Sequence, residues 1–195
     1  MKNKRVVYTK SMRKYDFRFD KKLFQSFVGK NFEQFRHEKL IYTNTVSLWL
    51  EFMIDHRLFT LSNDFENIDF FGWDDEATIF RCVEMKQTDP KIGENIIDRM
   101  VQKKIESIIL VNDHFYSTHL EEPEYDYWQT SAIIFHFEGY EISFAKQDCW
   151  FSLEIEINQG NHLIEKIDDG KDILDDFEQT AEQRLFTERE KIELY

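Results

Sequence analysis

Residues 150–158 read WFSLEIEIN, and they alternate. Phe151, Leu153, Ile155 and Ile157 fall on one side of an extended chain; Ser152, Glu154, Glu156 and Asn158 fall on the other. A period of two is what a β-strand with one wet face requires. In 46–53, Leu48, Leu50 and Phe52 alternate in the same way with Trp49, Glu51 and Met53. Residues 54–57 then make a turn and 58–62 return. IIFHFEGYEISF (133–144) folds back on itself at Glu138-Gly139, a pair suited to a tight hairpin turn. ATIFRCVEM (77–85) adds a strand, and KIESIILVN (104–112), apolar on both faces around Ile108 and Leu110, belongs at the centre of a sheet.

Other segments carry helical signals. Asp20 is placed to cap a short helix over 21–28, with Gly29 just past its end. A second helix fits 93–102. In the tail, Ile173, Phe177, Ala181 and Leu185 recur every four residues, flanked by Leu174 and Phe186, which predicts an amphipathic helix over 172–192. The expected fold class is therefore α+β, a largely antiparallel sheet with a C-terminal amphipathic helix. LFQSFVGKNFEQF (23–35) and IIDRMVQKKIESI (96–108) share Val28/Val101, Lys30/Lys103 and Glu33/Glu106, and a hairpin pattern follows each. This suggests an internal duplication of related helix-plus-strand halves, 21–85 and 93–158, within a single domain, 1–195.

The net charge is −13, unevenly spread. Residues 1–37 hold eleven Lys/Arg against Asp16, Asp20 and Glu33, a net of +8, so the remainder carries −21. An acidic body repels phosphate, which disfavours nucleic acid and favours a basic partner. The basic arm, with Tyr8, Tyr15, Phe17 and Phe19 interleaved, is expected to lie across the acidic body as a strand. With six Gly and two Pro, the chain does not read as loop-rich or low-complexity. The N-terminal residues show no apolar leader core, and no apolar run approaches the ~18 residues of a membrane span. Cys82 and Cys149 make no disulfide framework. A reduced, cytoplasmic protein is expected, with no membrane association. Nothing in the sequence speaks to its oligomeric state.

Candidate chemistry centres on NDHFYSTHLEE (112–122). On a strand, the five-residue spacing puts His114 and His119 on opposite faces, about 17 Å apart at ~3.3 Å per residue. Zinc needs both nitrogens near one point, so no metal site is assigned. Cys82 and Cys149 sit in apolar surroundings that make a thiol inert. There is no GxGxxG, GxxxxGK[ST] or GxSxG, hence no expected cofactor and no catalytic residue to name. The acidic clusters at 73–78, 120–128 and 168–178 read as solvated loops.

The segment LEEPEYDYWQ (120–129) mixes acids with aromatics, the composition of a recognition surface for a basic partner. The assigned binding residues are Glu121, Glu122, Glu124, Tyr125 and Asp126, with Tyr125 expected to be exposed as the anchor. The functional expectation is a non-enzymatic cytoplasmic protein-binding module. By size and acidity it could serve as an immunity protein-like neutraliser of a basic toxin. The alternative is a hydrolase whose histidines and carboxylates converge only in three dimensions.

Overall fold

The computed structural model describes residues 12–38, 46–70, 73–85, 96–147, 150–171, 174, 180 and 182–195. In chain order they form β1 (Arg13–Phe17), α1 (Lys21–Gln25), β2 (Asn31–Glu38), β3 (Val46–Ser47), β4 (Trp49–Ile54), β5 (Arg57–Phe70), β6 (Trp73–Met85) and β7 (Ile96–Lys104). There follow β8 (Ser107–His119), β9 (Glu122–Phe137), β10 (Tyr140–Lys146), β11 (Ile155–Gly160), a 3-10 turn (Leu163–Lys166) and β12 (Gln183–Leu194). A large seven-stranded sheet runs β12-β8-β9-β10-β11-β3, with β1 added on β9; a small five-stranded sheet runs β6-β5-β4-β2-β7. Pairing is antiparallel except for β1, which runs parallel to β9.

The α+β expectation is overturned: the described chain is almost all antiparallel sheet. Of the helix expected at 21–28, only the single turn α1 forms. The Asp20 carboxylate accepts from the Lys22 N–H at 2.9 Å, and Gly29 takes a left-handed φ of 81° beyond it. The helix expected at 93–102 is strand β7 from Ile96 onward, antiparallel to β2, and 93–95 lie outside the described residues. Its apolar spacing does not follow a strand period because β7 is the edge strand of the small sheet, where Ile96 and Ile97 are both half-buried and Met100 is exposed. The helix-plus-strand halves fail for the same reason: 23–25 is helical whereas 96–98 is strand.

The tail, expected as a helix over 172–192, is β12 from Gln183 onward; part of 172–182 lies outside the described residues. Ile173, Phe177 and Ala181 of the four-residue pattern lie outside the described residues; from Gln183 the strand runs between two cores on opposite faces of the large sheet. On one face, Ile108, Leu110, Ile133, Phe135, Phe144 and Leu194 pack against Phe32, Phe52 and Phe59 of the small sheet. Ring centroids of Phe32 and Phe135 are 5.0 Å apart, and those of Phe35 and Phe144 are 5.5 Å apart. On the other face, Phe115, Tyr125, Tyr127, Trp150 and Leu185 pack against Ile68, Ala77 and Ile79. Strand β12 feeds Leu185 to one core and Leu194 to the other. Its apolar positions therefore change parity, and the period of two is lost.

The β5–β6 hairpin serves both cores. It supplies Phe59, Leu61 and Phe80 to the first and Ile68, Ala77 and Ile79 to the second, so it crosses from one side of the large sheet to the other. Room for the crossing lies along β9, whose residues 125–129 pair with β1 and 132–137 with β10. In the gap, Ser131 is an extra residue that shifts the β8–β9 register. Lys146, only 4% exposed, sits at this crossing. Its Nζ donates to the Thr78 carbonyl of β6 at 2.5 Å and to Gln129 Oε1 of β9 at 2.9 Å. The Thr78 N–H and hydroxyl both donate to the Trp150 carbonyl.

A third, smaller cluster gathers Val111, Ala132, Ile134, Ala145, Leu163 and Ile167. Arg189 secures the segment over it. The guanidinium makes a two-pronged pair with Asp113 (2.7 and 2.9 Å) and also donates to the carbonyls of Ile167 and Asp168. Among the described residues no helix is long and apolar enough to cross a membrane.

Two measurements check this architecture. Lys146→Met keeps the side-chain length and removes the donors to two buried acceptors. An unsatisfied buried acceptor costs about 1–3 kcal/mol; Gln129 Oε1 keeps the Tyr127 hydroxyl, so urea unfolding should show a loss of roughly 1–3 kcal/mol, and an unchanged midpoint would show that the crossing does not depend on this amine. The second concerns His37, 1% exposed and stacked on Phe35. Burial lowers its pKa, so the unfolded chain takes up a proton that the folded chain resists. Stability should decline as pH falls below the ordinary histidine value of about 6.5, and His37→Phe should flatten that part of the profile.

Candidate functional site

The segment expected to be an acidic loop is mostly strand. The β8–β9 turn is the pair Leu120–Glu121, at φ 51° and 67°, and β9 begins at Glu122. Strand alternation then fixes each side chain. Glu121 and Glu122 are exposed, and Glu124 is half-buried, accepting from Gln183 Nε2 at 3.2 Å. Tyr125 is 1% exposed, which overturns its expected role as an exposed anchor. Its ring lies in the second core, 5.7 Å from that of Tyr15. Asp126 faces the other way and receives His114 Nε2 at 2.8 Å and Lys14 at 3.4 Å.

The face carrying Asp126 holds a feature that the sequence reading missed. Register places His114 opposite Trp128 and Glu188, and Tyr116 opposite Asp126 and Phe186. Four rings stack across three strands. Trp128 lies 4.0 Å from His114 with planes 8° apart, His114 lies 4.9 Å from Tyr116, and Tyr116 lies 4.9 Å from Phe186. This is the same face that, farther along, buries Ile108 and Leu110 against the small sheet. Past the crossing the small sheet has moved to the other side, and the rings stay at the surface: Phe186 is 37% exposed and the others half-buried.

Charged groups edge the stack. The Arg18 guanidinium covers Trp128 at 4.4 Å from the ring centre. It pairs with Asp16 at 2.7 Å and reaches Glu190 at 3.9 Å. The hydrogen bond from Arg18 holds the Asp16 carboxyl below its usual range, and Asp16 in turn raises the Arg18 pKa. Glu188 accepts from the Tyr116 hydroxyl at 3.3 Å and lies 3.8 Å from His114 Nδ1. Burial, then Glu188, pushes the Tyr116 hydroxyl above its ordinary value. Next to Arg18 opens a cleft of about 520 Å³ lined by Asp16, Phe19, Lys21, Asn112 and Ile192. At the far end, beside Phe186, is a depression of about 220 Å³ lined by Thr118, Glu121, Glu182 and Arg184.

His114 and His119 lie on opposite faces of β8, and His119 stands at the hairpin end. Among the described residues no three His, Cys, Asp or Glu side chains gather as a metal site. The His114–Asp126 pair has Tyr116 and Glu188 as neighbours, while Ser117 points to the opposite face. The Cys82 thiol is raised well above its ordinary value by burial; Cys149 and Tyr8 lie outside the described residues. Comparison with protein families, curated proteins and solved structures finds no match.

Tyr125 and Phe186 should separate in mutagenesis. Tyr125→Ala empties a buried site and should cost about 3–5 kcal/mol of stability. Phe186→Ala, at the surface, should cost no more than ~1 kcal/mol. Chemical denaturation of both variants checks the assignment, and equal losses would contradict it.

Proposed function

We propose that this chain is a non-enzymatic binding protein that engages a basic protein partner through the open ring-bearing face of its large sheet. The observation that carries the reading is the stack Trp128–His114–Tyr116–Phe186, left at the surface and edged by Asp126, Glu188 and Glu190. Aromatic faces attract cations, and carboxylates beside them add Coulomb attraction. Glu121, Glu122 and Glu124 extend the acidic rim along the hairpin. Tyr125 contributes from beneath, by holding β9 in place. The −21 carried beyond residue 37 supports steering of a basic partner and opposes nucleic acid.

Neutralising a basic toxin, as an immunity protein does, is the narrower form of this proposal. A reducing cytoplasmic setting belongs to the same reading. The competing hydrolase reading draws less from the His114–Asp126 pair: the hydroxyl beside it is that of Tyr116, which donates to Glu188, and among the described residues Ser117 points to the opposite face.

The test is a photo-reactive phenylalanine analogue at position 186, with position 100 as control, since Met100 is 65% exposed on the small sheet. Expressed in its own cells, the protein should cross-link a basic protein from position 186 and not from position 100. With that partner purified, Tyr116→Ala should weaken binding about tenfold or more, as truncated interface aromatics do. Neutralising Glu121, Glu122 and Glu124 together should mainly slow association and reduce its salt dependence. Equal cross-linking from both positions, or an affinity indifferent to Tyr116, would remove this face from the account.

A further inference from the structure

The stack has two ends, and they are not alike. At the Trp128 end the chain supplies its own cation: the Arg18 guanidinium lies over the indole, with Asp16 and Glu190 as its carboxylates. At the Phe186 end the aromatic series stops on β12, the edge strand of the large sheet. Phe186 is open there, and the depression beside it brings Glu121 and Glu182 around the ring. The same ingredients, an aromatic surface and two carboxylates, thus occur at both ends. Arg18 occupies one of them.

We propose that the Phe186 end is an arginine-binding subsite, taking a guanidinium from the basic partner as Arg18 is taken at the other end. This rests on the reading of the ring-bearing face as the partner surface and names the group it recognises. A guanidinium is planar and weakly hydrated, so it can lie on a ring and still direct its N–H groups sideways to carboxylates; a lysine ammonium is compact and strongly hydrated. Charge complementarity fixes the sign of the occupant, and the ring fixes its shape. Arg184 also lines the depression. Its positive charge opposes an incoming cation and competes for Glu121 and Glu182, so the subsite has a built-in competitor whose removal should strengthen binding.

The probes are short Gly/Ser peptides carrying paired arginines, paired lysines or paired citrullines, titrated calorimetrically into the full chain. Amide chemical shifts locate the contact. The arginine peptide should bind about three- to fivefold more tightly than the lysine peptide, the size of an exposed cation–π contact. The citrulline peptide, planar and uncharged, should bind least. Phe186→Leu keeps apolar bulk without the π-face and should erase the arginine preference. Arg184→Gln should tighten arginine binding. Thermal melting shows that both surface variants are folded. Equal binding of arginine and lysine peptides, or an arginine preference that survives Phe186→Leu, overturns the subsite. The two readings fail separately. Cross-linking from position 186 without arginine preference removes the subsite alone, and absence of cross-linking from that position removes the partner face.

Discussion

Lys146 stands where the chain changes sides. Its buried amine ties β10 to the Thr78 carbonyl of β6 and to Gln129 of β9. A buried amine is costly unless acceptors surround it, and here the acceptors come from strands that must meet for the β5–β6 hairpin to cross the large sheet. Thr78 is held from its other side by the Trp150 carbonyl. If this junction is displaced, Phe59 and Phe80 lose their register with one core, and Ile68 and Ile79 with the other. One polar contact thus coordinates two apolar cores that share no face.

The surface follows from the same crossing. The small sheet covers one face of β8 and β9 at the Ile108 end and then leaves it. The uncovered half of that face carries Trp128, His114, Tyr116 and Phe186. Stacking the rings on one another hides part of their area while leaving the end of the series open. The charges beside them are arranged asymmetrically. Arg18, tied to Asp16, closes one end, and Glu121, Glu182 and Arg184 line the depression beside the other. The acidic rim is therefore a property of several strands and not of one loop.

Some of this was legible in the residues. The hairpin at Glu138-Gly139 joins β9 and β10, and Asp55 and His56, at φ 45° and 64°, make the turn between β4 and β5. The site was legible only in part. Asp126 lies on the ring-bearing face and Glu121 at the hairpin turn beside it, whereas Glu122, paired with His119, and Tyr125 lie on the opposite face. The alternation D126-Y127-W128 with H114-F115-Y116 held the signal that Asp126, Trp128, His114 and Tyr116 share a face. Phe186 and Glu188 joined them only once the tail was a strand, and its four-residue apolar spacing argued for a helix.

The sequence by itself determined what local sterics and solvent decide: period-two strands, turn positions, and a net charge of −21 beyond residue 37. It also determined that phenylalanine would fill the core, because large apolar side chains leave water wherever a face is covered. Tertiary structure decided which face is covered where. A strand that serves one core at Leu185 and the opposite core at Leu194 cannot show its period in one dimension. Pairing across 76 residues, Arg189 with Asp113, fixed its register against β8. The ring stack exists because β12, distant in sequence, was brought into that register beside the β8–β9 hairpin, on a face that the crossing hairpin left open.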